Sequence, residues 1–101
     1  MTKAYWIAHL DVDDPIAYEE YKAANAEAFS KFNGRFIIRG GQKMIKEGTS
    51  KSRTAVIEFQ DYQTTLACYE SPECQRAFAL RKDISRGDLI IVEGTIVNYV
   101  C

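Results

Sequence analysis

The sequence predicts an α+β fold in which strands and helices follow the order β-α-β-β-α-β and the strands form one antiparallel sheet. Three observations support this prediction. Four short apolar segments have the composition of strands, and the second and third of them follow one another without a helix between them. Helix-start signals follow the first and the third of these segments. The chain has 101 residues, which is the length of one domain, and we expect a core over residues 3–94.

The first strand is predicted from Tyr5 to Leu10, where nearly every position is apolar, as in a strand buried on both faces. Asp14 then supplies a helix cap, and Pro15 suits the first helical position. The first helix is predicted from Pro15 to Phe32, because large apolar side chains recur there at three- and four-residue steps.

Two strands follow the first helix. The second strand is predicted at Arg35–Arg39, and Gly40-Gly41 suggests a bulge or bend at its end. Met44–Glu47 is expected to continue this strand. After a turn at residues 48–51, the third strand is predicted at Thr54–Phe59 and pairs antiparallel with the second.

The last third of the chain predicts a broken helix and a fourth strand. Asp61 caps the helix, and Ser71-Pro72-Glu73 restarts it, so we expect a kink or break at that point. Gly87 is expected to end the helix, and the fourth strand follows at Asp88–Glu93. Residues 95–101 form an apolar C-terminal tail that needs a cover.

This element order is the ferredoxin-like arrangement, a four-stranded antiparallel sheet with both helices on one face and the first and third strands at its centre. The other face of the sheet is left uncovered. The strands are nonetheless apolar at both parities, and a large exposed apolar patch marks an interface. We therefore predict a homodimer in which two sheets stack face to face.

Composition excludes several classes of partner. The net charge of −1 gives no basic surface for nucleic acid. The longest aliphatic run, Leu89–Val92, is too short to span a bilayer, and the N-terminus lacks a signal-peptide apolar region, so we expect a cytoplasmic protein with no membrane partner. Cys68, Cys74 and Cys101 are expected to be free thiols. With one histidine and no Cys-x-x-Cys, we predict no metal site and no cofactor.

Six segments, taken in order, resemble the family called domain of unknown function 1330. They are YWIAHLDVDDPIAYEEY, AANAEAF, GRFIIRGG, AVIEF, CYESPE and DLIIVEG, and they cover nearly the whole chain. The resemblance implies the dimeric α/β-barrel fold, in which two ferredoxin-like subunits join sheet to sheet. The wider superfamily includes cofactor-free monooxygenases, haem-degrading enzymes and lactone isomerases, but the family itself implies no activity. Cys74 departs from the family pattern, in which a tyrosine follows Ser-Pro-Glu.

Two polar residues in apolar elements are candidates for chemistry. His9 lies in the first strand, and an imidazole suits a general acid or base; the alternative is a histidine of the core or of the subunit interface. Asn25 interrupts the apolar stripe of the first helix, and a buried amide must find partners. It either orients a ligand or ties the helix to nearby backbone. Tyr18 and Tyr69 are candidates for ligand contact or for the aromatic core.

Arg39 and Glu58 are predicted to lie diagonally across from one another, because a tight turn near Thr49 joins their strands. Unpaired charges in apolar strands are costly, so the favoured interpretation is a partly buried ion pair. The alternative is a clamp in which Arg39 binds a carboxylate or phosphate and Glu58 orients it.

Three hypotheses for function follow. The first is a small-molecule-binding homodimer with a pocket between sheet and helices, lined by His9, Tyr18, Asn25, Arg39 and Tyr69. The second is a cofactor-free monooxygenase- or isomerase-like enzyme with His9 as its base. The third is a structural module that uses the sheet face and the tail only for assembly.

Overall fold

Four strands and three helices follow one another along residues 2–96, which are the part of the chain that this computed structural model describes. In chain order the elements are β1 (Ala4–Val12), α1 (Pro15–Lys31), β2 (Arg35–Arg39), β3 (Arg53–Phe59), α2 (Tyr62–Glu70), α3 (Pro72–Arg81) and β4 (Ser85–Glu93). The predicted order is confirmed, with the second helix divided into α2 and α3. Residues 97–101 of the predicted tail lie outside the described residues.

The strands form one antiparallel sheet in the order β2-β3-β1-β4, so the first and third strands are central, as predicted. β1 pairs with β3 from Ala4 opposite Phe59 to Leu10 opposite Arg53, and it pairs with β4 along its whole length. The helices cover one face of this sheet, where their buried side chains join those of β1 and β3 in a single core. The architecture is ferredoxin-like.

Capping side chains set the helix boundaries. Asp14 accepts a hydrogen bond from the backbone N–H of Ala17 at 3.1 Å and starts α1. Ser71 accepts one from the backbone N–H of Cys74 at 3.1 Å and starts α3. Pro72 has no N–H and cannot continue α2, which explains the break. None of the helices within residues 2–96 combines the length and the apolar character needed to cross a membrane.

The prediction that Gly87 ends a helix is wrong. Helix α3 ends at Arg81, and Gly87 lies inside β4, beside β1. A Cβ atom on Gly87 would lie 2.0 Å from the backbone oxygen of His9. This glycine therefore permits a close approach between two strands, which is the other common reason for a glycine near a strand.

The prediction that Met44–Glu47 continues the second strand is also wrong. Gly40 and Gly41 adopt φ values of 72° and 93°, a left-handed conformation that turns the chain out of the sheet. The segment between β2 and β3 has no regular structure. Lys43 holds it in place by donating to the backbone oxygen of Lys51 at 2.6 Å.

Alternate side chains of β1 point to opposite faces of the sheet. Trp6 and Ala8 face the helices and are buried, whereas Ile7 and His9 face the other way and are only half-buried in the single chain. We call this second side the open face. It carries the side chains of Tyr5, Ile7, His9, Arg35, Ile38, Thr54, Val56, Glu58, Asp88, Ile90 and Val92.

Trp6 lies at the centre of the core on the helix-facing side. Its ring meets Phe29 of α1 edge to face at 5.1 Å, stacks on Phe59 of β3 at 6.3 Å and touches Tyr69 of α2 at 5.7 Å. Aromatic pairs prefer these offset and edge-on arrangements. The single tryptophan thus joins two helices to the sheet.

Candidate ligand-binding cavity

A cavity of about 370 Å³ lies between α1 and the helix-facing side of the sheet. Space remains beneath the helix because Ala8 of β1 pairs directly with Ala55 of β3, and each of these residues contributes only a methyl group to the cavity floor. The apolar walls come from Trp6, Leu10, Phe29, Phe36 and Ile57. Small-molecule sites commonly enclose about 300–1,000 Å³ and have mostly apolar walls, so this cavity is of suitable size and character.

Asn25 lines this cavity from α1 and is buried, with 3% of its surface exposed. Its Nδ2 donates to the hydroxyl oxygen of Tyr21 at 2.8 Å, but its Oδ1 has no hydrogen-bond partner among the described residues. Burial raises the pKa of Tyr21 to about 12, so this hydroxyl stays protonated at neutral pH. One end of a buried amide is therefore left for another molecule to satisfy.

Tyr18 lies one turn before Tyr21 on α1, and the two rings are 5.0 Å apart. The guanidinium of Arg53, at the start of β3, lies over the Tyr18 ring at 5.4 Å. All three residues line the cavity. Tyr18 therefore lines the cavity and also holds the guanidinium of Arg53 beside it.

Arg39 also lines the cavity, and a bulge in β2 brings it there. The pairing of β2 with β3 shifts by one residue between Phe36 and Ile38. Because side chains alternate between faces, the shift moves Arg39 to the helix-facing side, opposite Ala55. Its guanidinium lies over the Phe36 ring at 4.5 Å. The predicted pair with Glu58 is therefore wrong, because a single extra residue puts Arg39 on the other face of the sheet.

Glu58 lies on the open face and pairs with a different arginine. Its Oε1 is 2.8 Å from Nη2 of Arg35, directly opposite on β2, and its Oε2 accepts from the Tyr5 hydroxyl at 3.4 Å. The carboxylate is mostly buried, with 14% of its side chain exposed. Glu58 thus forms a partly buried ion pair outside the cavity, and it does not orient Arg39.

His9 lies on the open face and does not line the cavity, contrary to the predicted pocket. Its Nδ1 is 3.2 Å from Oγ1 of Thr54 on β3, and Asp88 of β4 lies opposite it on the other side. The position results from the parity of β1, in which Ala8 and Leu10 take the helix-facing side. The strand is apolar at both parities, so alternation could not assign His9 to a face in advance.

Tyr69 contributes to the core but not to the cavity. Its ring contacts Trp6, and it borders a separate depression between α2 and β4 with Leu89 and Ile91. The expectation that Tyr69 lines the pocket with Asn25 is therefore wrong. Of the predicted site residues, the structure brings together Tyr18, Asn25 and Arg39.

Sequence reasoning missed Arg53 and Lys22, which line the cavity as well. The sequence pattern could have indicated Arg53, because residues two apart on a strand share a face and Arg53 is two residues before Ala55 on the buried side of β3. The predicted strand began one residue later and left it out. Lys22 follows Tyr21 directly, and nothing in the helical pattern distinguished it from a solvated lysine.

Within the described part of the chain, the side chains that line the cavity include no carboxylate, no imidazole and no thiol. The titratable side chains there are two tyrosines, two arginines and one lysine. A general base at neutral pH is typically histidine, aspartate or glutamate.

The order of the elements and the sheet topology define a ferredoxin-like α+β protein. A protein of unknown function from Rhodopseudomonas palustris superposes with a TM-score of 0.71 at 14% identity, over 95% of this chain and 85% of that one. SnoaB, a cofactor-independent oxygenase from Streptomyces nogalater, superposes with a TM-score of 0.68 at 13% identity, over 99% of this chain and 98% of that one. A dimeric ferredoxin-like protein of unknown function from Jannaschia sp. CCS1 superposes with a TM-score of 0.66 at 17% identity, over 93% of this chain and 99% of that one. At such identities the likeness establishes the fold alone.

The sequence profile of the domain of unknown function DUF1330 matches residues 3–95. Since the match covers nearly the whole chain, the protein belongs to the DUF1330 family, and the resemblance noted in the sequence is confirmed. The comparison with curated proteins finds no match.

Proposed function

We propose that this protein is a homodimer that binds a small organic molecule in the cavity beneath α1. The observation that carries the proposal is the buried Oδ1 of Asn25, which lines the cavity and has no partner among residues 2–96. An unsatisfied buried polar atom costs about 1–3 kcal/mol. A ligand hydroxyl would offset that cost, because it both donates and accepts, and the aromatic walls would bury the apolar part of the ligand.

Binding accounts for the cavity better than catalysis does. The residues that line it offer shape, aromatic surface and one unsatisfied amide, and the one histidine lies on the open face. Sites that bind small molecules typically combine apolar walls with a few polar groups that fix orientation. Asn25 and Tyr21 would have that orienting role, and Tyr18 and Arg39 would complete the contact.

The open face supplies the proposed contact between the two subunits. Ile90 and Val92 on the edge strand β4 are 53% and 42% exposed there in the single chain, and Ile38 on the opposite edge strand β2 is 45% exposed. Exposed apolar patches of this kind mark interaction sites. A second copy stacked sheet against sheet would cover them, and the dimeric state of the Jannaschia protein supports such an arrangement.

We further propose a cytoplasmic location. Cys68 and Cys74 are buried free thiols, and proteins of reducing compartments keep their cysteines in that form.

A cofactor-independent oxygenase is the second candidate. The likeness in fold to SnoaB, over nearly the full length of both chains, favours it. It needs a base to activate the substrate, and none lines the cavity within residues 2–96. Substrates that ionise by themselves would remove this need, so turnover of an acidic phenol with uptake of oxygen is the observation that would favour the enzyme.

The experiment is a fluorescence titration with N-phenylnaphthylamine, a neutral dye that becomes bright in apolar sites. We expect saturable binding to the wild type and its loss in Ala55→Phe, because the larger side chain fills the cavity floor. The control is Ala67→Phe, the same change at an exposed position of α2. Thermal denaturation checks that both variants fold.

Binding that is unaffected by Ala55→Phe would contradict the proposal, and so would a wild type that binds neither this dye nor its sulfonated analogue. The chain would then be better described as a module whose surfaces act only in assembly.

A further inference from the structure

We infer that the ligand of this cavity is an organic anion. The inference rests on the proposed function, and it concerns the charge of the molecule that the cavity takes. Every charged side chain that lines the cavity in the described part of the chain is a cation, namely Lys22, Arg39 and Arg53. Cations gathered around one cavity, with no carboxylate among them, favour an anionic occupant.

The backbone positions of the two arginines are neighbours on the β2–β3 side of the cavity. Arg39 is opposite Ala55, and Arg53 lies two residues before Ala55 on the same face of β3. Residues in this diagonal relation have Cα atoms roughly 7–8 Å apart, which is within reach of long side chains. The bulge in β2 creates this proximity, because without it Arg39 would lie on the open face.

Neither arginine is neutralised by a carboxylate in residues 2–96. The four ion pairs found there use other cations, and Lys22 is one of these because its Nζ is 2.9 Å from Glu19. The two guanidinium groups lie instead over aromatic rings, Arg39 at 4.5 Å from the centre of Phe36 and Arg53 at 5.4 Å from the centre of Tyr18. A guanidinium held over a ring in this way does not use its N–H donors on that ring's carbon atoms as it would on a carboxylate, so they are available to an oxyanion.

Two cations without a carboxylate partner at one cavity favour the binding of an oxyanion. A carboxylate, sulfonate or phosphate group accepts the paired N–H donors of arginine with good geometry. The rest of the molecule would lie between the rings of α1 and the sheet, where Asn25 would bind a hydroxyl. The ligand class is therefore an aromatic or otherwise flat organic acid that carries a hydroxyl group.

The test compares two dyes that share one skeleton, anilinonaphthalene sulfonate and the neutral N-phenylnaphthylamine. We expect the sulfonate to bind the wild type at least about tenfold more tightly, since charge-assisted hydrogen bonds contribute that much. Arg39→Gln and Arg53→Gln should each weaken the sulfonate about tenfold and leave the neutral dye unchanged. Added salt should weaken only the sulfonate.

The matched control is Arg35→Gln, which removes the same charge from the same strand but from the open face. It should leave both dyes unaffected, and Ala55→Phe should abolish both. Equal affinity for the two dyes, with no effect of Arg39→Gln or Arg53→Gln, would overturn the inference while the loss of binding in Ala55→Phe kept the proposed function. Sulfonate binding that depends on Arg35 and not on Ala55 would overturn the inference by locating the dye on the open face. Failure of both dyes to bind would overturn the proposed function itself.

Discussion

The side-chain amide of Asn25 donates to the hydroxyl of Tyr21 over 2.8 Å, and the two residues lie one turn apart on α1. Both line the cavity and both are buried. The tyrosine fixes one end of the amide and leaves its oxygen unpaired. Tyr21 therefore has two roles, because it holds the Asn25 amide in place and also forms part of the cavity wall.

Tyr21→Phe should lower the free energy of unfolding by about 1–2 kcal/mol, because it leaves both ends of the Asn25 amide buried without a protein partner. The measurement is urea denaturation followed by circular dichroism. The control is Tyr62→Phe, a half-exposed tyrosine that starts α2, where we expect a change within about 0.5 kcal/mol. Equal effects at the two positions would show that the hydrogen bond to Asn25 does not stabilise the fold.

Stability should fall at alkaline pH. Burial raises the pKa of Cys68 from 9.0 to about 12 and that of Cys74 from 9.0 to about 11. The folded state holds these protons more tightly than the unfolded state does. The contribution to stability is therefore fully present below about pH 9 and is lost as the pH rises through 11 and 12.

Urea midpoints measured at several pH values test this dependence. Cys68→Ala removes one of the two titrating thiols and should give a flatter decline, although the smaller side chain lowers stability at neutral pH. A midpoint that stays constant up to about pH 11, or a variant with the same slope as the wild type, would argue against buried, protonated thiols.

Gly87→Ala should destabilise the protein by about 2 kcal/mol or more, because the new Cβ would overlap the backbone oxygen of His9 and push β4 away from β1. Gly48→Ala is the control. Gly48 also has a positive φ, of 73°, but no atom lies within 4 Å of the Cβ position. Its cost should be only the conformational one, roughly 1 kcal/mol. A Gly87→Ala variant as stable as Gly48→Ala would contradict the close approach of the two strands.

Ile90→Lys should separate the subunits of the proposed dimer. The residue is 53% exposed in the single chain and pairs with Ile7 at the centre of the open face. An unpaired charge in an interface is costly, so we expect the dissociation constant measured by sedimentation equilibrium to rise at least about tenfold. Ile16→Lys is the control, because Ile16 is 85% exposed on α1 and lies off the sheet. A monomeric wild type, or a dimer unchanged by Ile90→Lys, would exclude the open face as the interface.

The elements were predictable from sequence because they depend on local chemistry. Asp14 and Ser71 cap helices through hydrogen bonds to nearby backbone, which do not depend on tertiary packing. Pro72 cannot continue α2, because it lacks the backbone N–H. Gly87 misled the prediction, since a glycine marks a helix end and a close contact between strands equally well. Only the pairing of β4 with β1 distinguishes the two.

The candidate site was only partly predictable. Asn25 was recognisable because an amide in an apolar stripe needs partners, and its position on the helix decided its face. Arg39 could not be assigned to a face, because that depends on a one-residue shift in pairing that no local pattern reveals. The cavity itself depends on Ala8 meeting Ala55, a contact between residues far apart in the chain.

The most direct test is to locate a bound dye by proton–nitrogen correlation spectra of the labelled protein, titrated with anilinonaphthalene sulfonate. We expect the largest shifts at the backbone amides of Ala8 and Ala55 and at the side-chain amide of Asn25. We expect little change at Ile90 and Val92, because β4 does not line the cavity and their side chains lie on the open face. Shifts confined to Ile90 and Val92, with the Asn25 side chain unmoved, would contradict the claim that this protein binds small molecules beneath α1.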